Sequence, residues 1–145
     1  MKLKAQATLQ IQKTVDDLFE AIVNPDHMTR YFISESSGRM ESGSTLTWKF
    51  PEFEERFPIT QVNVQSPALI SFVWDPQTTV NIFLEARDDQ STVVKITEGD
   101  KILNDTNLKW LISNTEGWAN FLACLKAYLE YGVQLRKGAF DFMRK

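Results

Sequence analysis

One amphipathic segment near the C-terminus constrains the fold more than any other feature of this chain. The stretch TEGWANFLACLKAYLEYGVQLR, residues 115–136, carries apolar side chains at helical spacing. At 100° per residue the apolar arc is about 160° wide, whereas an ordinary surface helix shows about 100°. The arc consists of Trp118, Leu122, Leu125, Leu129, Gly132 and Val133, with Phe121 and Tyr128 along one edge. So wide a stripe predicts a helix that a strongly curved sheet wraps.

The N-terminal part of the chain predicts one strand followed by two short helices. Residues 3–11 alternate apolar and polar side chains, which is the period of a half-buried strand. Thr14, with Asp17 three residues later, resembles a helix capping box. The Asn-Pro pair at residues 24–25 is expected to end that helix, and a second short helix is predicted over residues 26–31.

A meander of short strands fills the middle of the chain. Turns are predicted at residues 41–43, 66–67, 75–76 and 87–90. The apolar phase slips at residues 60–61, which predicts a β-bulge. The last strand is expected to end at residues 98–100, and a short helical piece over residues 105–112 leads into the long helix. Hairpin-sized connections predict an antiparallel sheet of about six or seven strands and an α+β fold.

Composition places the chain among ordinary globular proteins. Its 145 residues fit one domain, predicted over residues 1–145, and the formal net charge is −3. The sequence lacks the basic stripe that nucleic-acid-binding proteins carry, so nucleic acid is not expected as a partner. A single cysteine excludes an internal disulfide, and no apolar run approaches the length of a signal peptide or a membrane span. We therefore expect a cytoplasmic protein.

Several stretches, in this order along nearly the whole chain, resemble one family. They are NPDHMTRYF, GRMESGSTLTWKFPE, LISFVW and NTEGWANFLACLKAYLEYGVQLRKGAF. Together they resemble the Hsp90-ATPase-activator-like (AHSA1-type) family of the START/Bet v 1-like (SRPBCC) superfamily. The resemblance implies a helix-grip fold, with a curved antiparallel sheet around a long C-terminal helix and two short helices after the first strand. It also implies a cavity between helix and sheet, which in this superfamily commonly holds lipids, sterols, polyketides or other apolar molecules.

The inventory of reactive residues is poor. His27 is the only histidine and Cys124 the only cysteine, so a four-ligand zinc site cannot be assembled. His27 is expected at the surface of a helix start, and Cys124 at the edge of the core without a basic neighbour to activate it. The carboxylate pairs at residues 16–17, 54–55 and 88–89 are expected to be solvated. The sequence therefore predicts no catalytic residue, no metal and no cofactor.

The apolar interior remains as the candidate site. Its candidate lining residues are Trp48, Phe50, Phe57, Trp74, Ile82, Leu84, Val94, Ile96, Trp118, Phe121, Leu122, Leu125 and Tyr128. Arg56 or Glu54 at the mouth, and Tyr128 within, are candidate polar anchors. An aromatic stripe at helical spacing also suits a solid core, so both interpretations stay open. Glycine at position 132 likewise has two interpretations: it leaves room for a ligand, or it allows close packing or fraying near the helix end.

Three functions follow from these observations. The first is binding of a small hydrophobic molecule, lipid-like or aromatic, between helix and sheet. The second is a protein-interaction role, with a chaperone such as Hsp90 as partner. In eukaryotic Hsp90 activators this domain is the C-terminal half of a two-domain cochaperone, and a 145-residue chain is expected to be this domain alone. The third is an enzyme of the cyclase or hydrolase type. Because many such domains form dimers, a homodimer is also considered.

Overall fold

The structure confirms the α+β architecture, with the first strand, the two short helices, the strand meander and the long helix in the predicted order. The computed structural model describes residues 1–75 and 78–144, so the predicted turn at residues 75–76 lies partly outside the described residues. The strands are β1 (Lys2–Ile11), β2 (Glu35–Ser36), β3 (Leu46–Lys49), β4 (Arg56–Gln65), β5 (Leu69–Asp75), β6 (Thr78–Ala86) and β7 (Thr92–Ile102). The helices are α1 (Val15–Val23), α2 (Pro25–Tyr31) and α3 (Asp105–Tyr131), and a 3₁₀ turn follows at Asp141–Met143.

The described strands form one antiparallel sheet in the order β1-β7-β6-β5-β4-β3-β2. From β7 to β2 the sheet is a meander, in which each strand pairs with its neighbour along the chain. The predicted bulge is present in β4, where the pairing with β5 shifts between Thr60 and Asn63. Gln61 there has a positive φ of 49°. Because of the extra residue, the apolar positions change from odd numbers (57 and 59) to even numbers (62 and 64). Both halves of β4 therefore keep their apolar side chains inward.

The prediction that the sheet ends at residues 98–100 is wrong, because β7 continues to Ile102. Gly99 pairs with Lys4 of β1 inside the sheet. A Cβ atom at Gly99 would lie 3.1 Å from the carbonyl oxygen of Leu3. The glycine therefore allows a close approach of two strands rather than ending one of them.

Residues 105–112 are helical as predicted, but they are not a separate short piece, because α3 is one continuous helix of 27 residues. It begins after Asn104, whose side-chain oxygen accepts a hydrogen bond from the Asn107 backbone N–H at 2.7 Å. It ends at Tyr131, five residues earlier than predicted. Gly132 follows with φ 65°, the left-handed conformation that commonly ends helices. Gly132 is thus a helix terminator and is not part of the helix interior.

Both short helices have a side-chain cap, of which the sequence predicts the one at Thr14. The hydroxyl of Thr14 accepts a hydrogen bond from the Asp17 backbone N–H at 3.3 Å, which begins α1. Asn24 then accepts from the Asp26 N–H at 2.9 Å and begins α2, with Pro25 in its first position. Because one asparagine ends α1 and caps α2, the two helices meet in a tight corner.

The core lies in the hollow of the curved sheet and is closed by the helices. α3 packs mainly along β1 at one edge of the sheet. Leu122 and Leu125 of α3 are almost fully buried there. In the described part of the chain, no helix is long and apolar enough to cross a membrane.

Candidate functional site

A cleft of about 630 Å³ lies beneath α3 between Trp110 and Cys124. α3 packs mainly along β1, and the opposite wall of the cleft comes from the loop after β3 and from β4 and β5. The segment after α3 closes part of its open side. This pocket is called the aromatic cleft, and its lining consists of Phe32, Phe50, Glu52, Phe53, Phe57, Trp74, Asp75, Glu98, Trp110, Ser113, Asn114, Glu116, Gly117, Trp118, Asn120, Phe121, Cys124, Arg136, Phe140 and Met143.

Aromatic rings in mutual contact make up the walls of the cleft. Phe32 lies between two of them, with its ring centroid 4.6 Å from that of Phe121 and 5.1 Å from that of Phe50. The indoles of Trp74 and Trp118 approach each other to 5.4 Å from opposite sides, one from β5 and one from α3. Edge-to-face and tilted contacts of this kind hold rings in fixed positions. The walls are therefore organised before any ligand enters.

Glu98 forms the polar floor of the cleft. It is 0% exposed, and both carboxylate oxygens are fully engaged. Oε1 accepts hydrogen bonds from Asn114 Nδ2 at 2.8 Å and Trp118 Nε1 at 2.9 Å. Oε2 accepts from Trp74 Nε1 at 3.0 Å and Thr78 Oγ1 at 2.9 Å. One carboxylate thus fixes both indole walls and ties α3 to the sheet.

An ion pair closes the mouth of the cleft. The guanidinium of Arg136 donates two hydrogen bonds to Glu52, at 2.6 and 3.2 Å. The Glu52 side chain is only 4% exposed and that of Arg136 is 14% exposed, so the pair is largely shielded from water. The same guanidinium lies 5.3 Å above the Phe50 ring and 4.7 Å from the Phe140 ring. The pair fastens the segment after α3 to the loop after β3.

The remaining charges of the lining lie towards solvent. Asp75 pairs with Lys101 at 3.0 Å, and the Lys101 ammonium lies 5.1 Å from the centre of the Trp110 ring. Glu116 is exposed on α3 at the rim. The lining contains four carboxylates and one guanidinium, so its charged groups are predominantly negative.

Cys124 lies in the wall of the cleft and is buried. Burial raises the pKa of its thiol, and the positive charge of Arg136 opposes this shift. The expectation that Cys124 lacks a basic neighbour is therefore wrong, although the net effect still favours the unreactive thiol.

The C-terminal half of α3 closes on solid protein, a region called the packed end and formed by His27, Tyr31, Leu122, Leu125 and Tyr128. The hydroxyl of Tyr128 lies 2.6 Å from Nδ1 of His27, and the Tyr31 ring stacks on that of Tyr128 at 5.3 Å. The Tyr31 hydroxyl donates to the Ala21 carbonyl at 2.9 Å. His27 lies near the start of α2, as predicted, but it is half-buried in a contact with α3 and is not fully at the surface.

The structure divides the predicted lining residues into two groups. Those that line the aromatic cleft are Phe50, Phe57, Trp74, Trp118 and Phe121. Those outside its lining are Trp48, Ile82, Leu84, Val94, Ile96, Leu122, Leu125 and Tyr128, which pack into the core. Among the predicted anchors, Arg56 pairs with Glu35 at the surface, Glu54 is exposed, and Tyr128 belongs to the packed end.

Three charged groups that shape the floor and the mouth of the cleft, Glu52, Glu98 and Arg136, were not predicted. A signal for Glu98 was present, because the inward alternation of β7 at residues 92, 94 and 96 extends to it. The expected end of the strand at that position hid it. Glu52 and Arg136 lie in irregular segments, where no periodicity indicates which way a side chain points.

Within residues 1–75 and 78–144, no group of three or more His, Cys, Asp or Glu side chains is arranged to hold a metal ion.

A long helix held by a curved antiparallel sheet, with two short helices after β1 and a cleft beneath the helix, defines the helix-grip class of proteins. A family model, described as Activator of Hsp90 ATPase homolog 1-like protein, matches residues 12–130. The chain belongs to this family.

Solved structures agree with this assignment. One from Staphylococcus saprophyticus is 32% identical, with a TM-score of 0.81 over 92% of this chain and 96% of that one. The Aha1 dimer from Colwellia psychrerythraea is 20% identical, with a TM-score of 0.74 over 90% of this chain and 98% of that one. DynU16, encoded in the dynemicin biosynthetic locus, is 20% identical, with a TM-score of 0.78 over 90% of this chain and 48% of that one. The last two similarities show the fold alone. No curated protein matches the chain.

Proposed function

We propose that this protein binds a small, largely apolar molecule in the aromatic cleft between α3 and the sheet. The observation that carries the proposal is the combination of volume and lining. A volume of about 630 Å³ lies within the range of small-molecule sites, which is about 300–1,000 Å³. Nine of its twenty lining residues are aromatic, and a few fixed polar groups accompany them. This is the usual composition of a binding pocket.

The polar groups support binding rather than catalysis. The Glu98 carboxylate already accepts four hydrogen bonds, so it has no lone pair left to take a proton from a substrate. Burial keeps the pKa of the Cys124 thiol raised, which disfavours the nucleophilic thiolate. A role in protein interaction alone would predict a filled space beneath α3, whereas this space is open.

The direct test uses a neutral fluorophore, N-phenyl-1-naphthylamine, whose emission rises in apolar surroundings. Wild-type protein should bind it saturably. Gly117 lies in the lining, and a Cβ atom there meets nothing within 4 Å, so Gly117→Phe places a ring at the cleft without a backbone clash. This variant should weaken binding by about tenfold or more, which corresponds to about 1.4 kcal/mol.

The matched control is Ala119→Phe, on the exposed side of the same helix and outside the lining. It should change the affinity for the fluorophore less than twofold, a difference below about 0.5 kcal/mol. Cys124 gives a second readout, because a bound molecule should slow alkylation of this wall residue by iodoacetamide. Absence of saturable binding, or equal loss in both variants, would refute the proposal.

A further inference from the structure

We propose that the aromatic cleft selects an organic cation, namely an apolar body that carries a quaternary or tertiary ammonium group held beside Trp74 and Trp118 above Glu98. This inference rests on the proposed function and adds the charge of the ligand to it. It is carried by the buried charge of the floor, by the orientation of the indoles and by the pairing of the other charges.

The floor of the cleft holds a negative charge without a salt-bridge partner. Among the described residues, no basic side chain lies within salt-bridge distance of Glu98, which is 0% exposed. The charged groups nearest to the mouth neutralise each other, since Arg136 is paired with Glu52. Water screens a buried charge poorly, so its field extends into the cleft. An electropositive ligand is the natural complement of that field.

The hydrogen-bond pattern fits the ionised form of the floor carboxyl. Three of its four donors, the two indole N–H groups and the Asn114 amide N–H, can only donate in this geometry. A carboxylate accepts all of them, whereas a carboxylic acid would have to place its own proton on the only remaining partner, Thr78. The four bonds offset the cost of burying the charge without cancelling its sign.

The two indole walls are prepared for a cation by the same carboxylate. Each indole donates its N–H to Glu98, and hydrogen bonding to an anion shifts electron density towards the ring. A cation near the face of a tryptophan is attracted by the ring quadrupole, and tryptophan is the strongest aromatic partner for this interaction. Trp74 and Trp118 offer two such rings 5.4 Å apart, both in the lining. A quaternary ammonium suits this site because it needs no hydrogen bond from the walls.

Arg136 does not oppose this assignment. Its guanidinium lies over the rings of Phe32, Phe50 and Phe140 and donates both hydrogen bonds to Glu52, so its charge is compensated at the mouth. Lys101, close to Trp110, is compensated by Asp75 in the same way. Of the two described lining carboxylates outside any ion pair, Glu116 is exposed to solvent on the rim, whereas Glu98 is buried on the floor.

The experiment compares two probes of the same shape. Benzyltrimethylammonium is permanently charged, and neopentylbenzene is its neutral isostere, with carbon in place of nitrogen. Both are measured by displacement of N-phenyl-1-naphthylamine from wild-type protein. The cation should bind about tenfold tighter than the neutral isostere, within the range expected of a partly desolvated cation–π contact. Its binding should also shift the indole N–H resonances of Trp74 and Trp118 in ¹H–¹⁵N spectra, with resonances assigned by Trp→Phe variants.

Glu98→Gln tests the source of the preference. The variant removes the charge at constant size and should reduce the affinity for the cation about tenfold, while the affinity for neopentylbenzene changes less than about twofold. Asp105→Asn, at an exposed carboxylate of the same helix outside the lining, is the matched control and should leave both affinities within about twofold.

The outcomes separate this inference from the proposed function. If neopentylbenzene binds as tightly as the cation, or tighter, the inference is overturned and the proposed function stands. If neither probe displaces the fluorophore, the inference is overturned as well. A preference for the cation that persists in Glu98→Gln overturns the role of the floor carboxylate. If Glu98→Gln fails to fold, the wild-type affinity ratio and the indole shifts decide the matter.

Discussion

The two halves of α3 cover two different kinds of space. Beneath its C-terminal half, at the packed end, Leu122 and Leu125 are buried among core side chains, and the tyrosine hydroxyls reach protein partners. Further towards its N-terminus, from Trp110 to Cys124, the helix lines a cleft of about 630 Å³ to which Trp118 and Phe121 belong. One helix with a single apolar stripe therefore serves as a core element at one end and as the wall of a binding site at the other.

The comparison shows that polar groups have different tasks in the two regions. At the packed end, the hydrogen bond from Tyr31 satisfies a buried hydroxyl and contributes to stability. In the cleft, the hydrogen bonds to Glu98 fix the positions of the two indoles beside an open space. An open aromatic wall needs such supports because side chains without neighbours on one side otherwise relax into the void.

Truncation of a core leucine should separate the two regions most strongly. Leu125→Ala leaves a cavity at the packed end and should lower the free energy of unfolding by about 2–5 kcal/mol. Phe53→Leu, at a half-buried residue of the cleft lining, should cost about 1 kcal/mol because one side of that ring already lacks packing partners. Urea denaturation of both variants measures the difference. Equal costs would contradict the division of α3 into a packed and an open half.

Loss of the ion pair at the mouth should have the next largest effect. Arg136→Met leaves the carboxylate of Glu52 shielded and without its partner, and should cost about 1–3 kcal/mol. It should also speed alkylation of Cys124, because the segment over the cleft is released. Arg56→Met, which breaks the exposed pair with Glu35, should cost less than about 1 kcal/mol. Unfolding curves and alkylation rates that match between the two variants would disprove a closing role for Arg136.

Removal of one hydroxyl at the packed end should have a smaller effect with a distinct pH dependence. Tyr31→Phe removes the hydrogen bond to the Ala21 carbonyl and should cost about 1 kcal/mol. Burial is the main cause that raises the pKa of Tyr31 well above its usual value. The unfolded chain therefore loses this proton first, so the contribution is intact below about pH 10, the ordinary pKa of tyrosine, and declines as pH rises further. Wild-type stability should fall more steeply than that of Tyr31→Phe between about pH 10 and 11. Parallel curves would count against the burial of this phenol.

The smallest expected effect is a gain of stability on the cleft side of α3. Gly117 is exposed in the helix interior, and a Cβ atom there meets no neighbour within 4 Å. Gly117→Ala should raise the free energy of unfolding by about 0.5–1 kcal/mol, because alanine loses less backbone freedom on folding than glycine does. Thermal unfolding would show this as a higher midpoint. A loss of stability instead would mean that the cleft wall has less space at this position than the structure gives it.

Much of the fold follows from periodic patterns. The alternation in β1 and in β6 and the apolar stripe of α3 each mark a buried face, and the wide arc of the stripe correctly predicts a sheet that curves around the helix. The bulge in β4 was visible as a change of parity. These features could be predicted because many residues contribute to each signal.

The ends of α3 and the cleft could not be predicted in this way, because they depend on single residues or on irregular segments. Residues 105–112 were predicted as a short helical piece, but their pattern did not show that they are continuous with the long helix, although Asn104 provides a cap. Gly132 was interpreted as helical because its position continues the stripe, whereas its φ of 65° ends the helix. The cleft itself results from the distance between α3 and strands β3 to β5. A pattern of apolar residues does not encode that distance, because the same side chains line a void or fill it.

The segment after α3 has a consequence for the engineering of this protein. Arg136, Phe140 and Met143 form part of the cleft lining, yet none of them belongs to the buried core. Arg136 is paired with the shielded Glu52, whereas Phe140 and Met143 lie outside any ion pair in the described residues. Substitutions of Phe140 and Met143 can therefore reshape the entrance without disturbing the packing that folds the domain. A library of side chains at these two positions on a constant body would vary ligand preference.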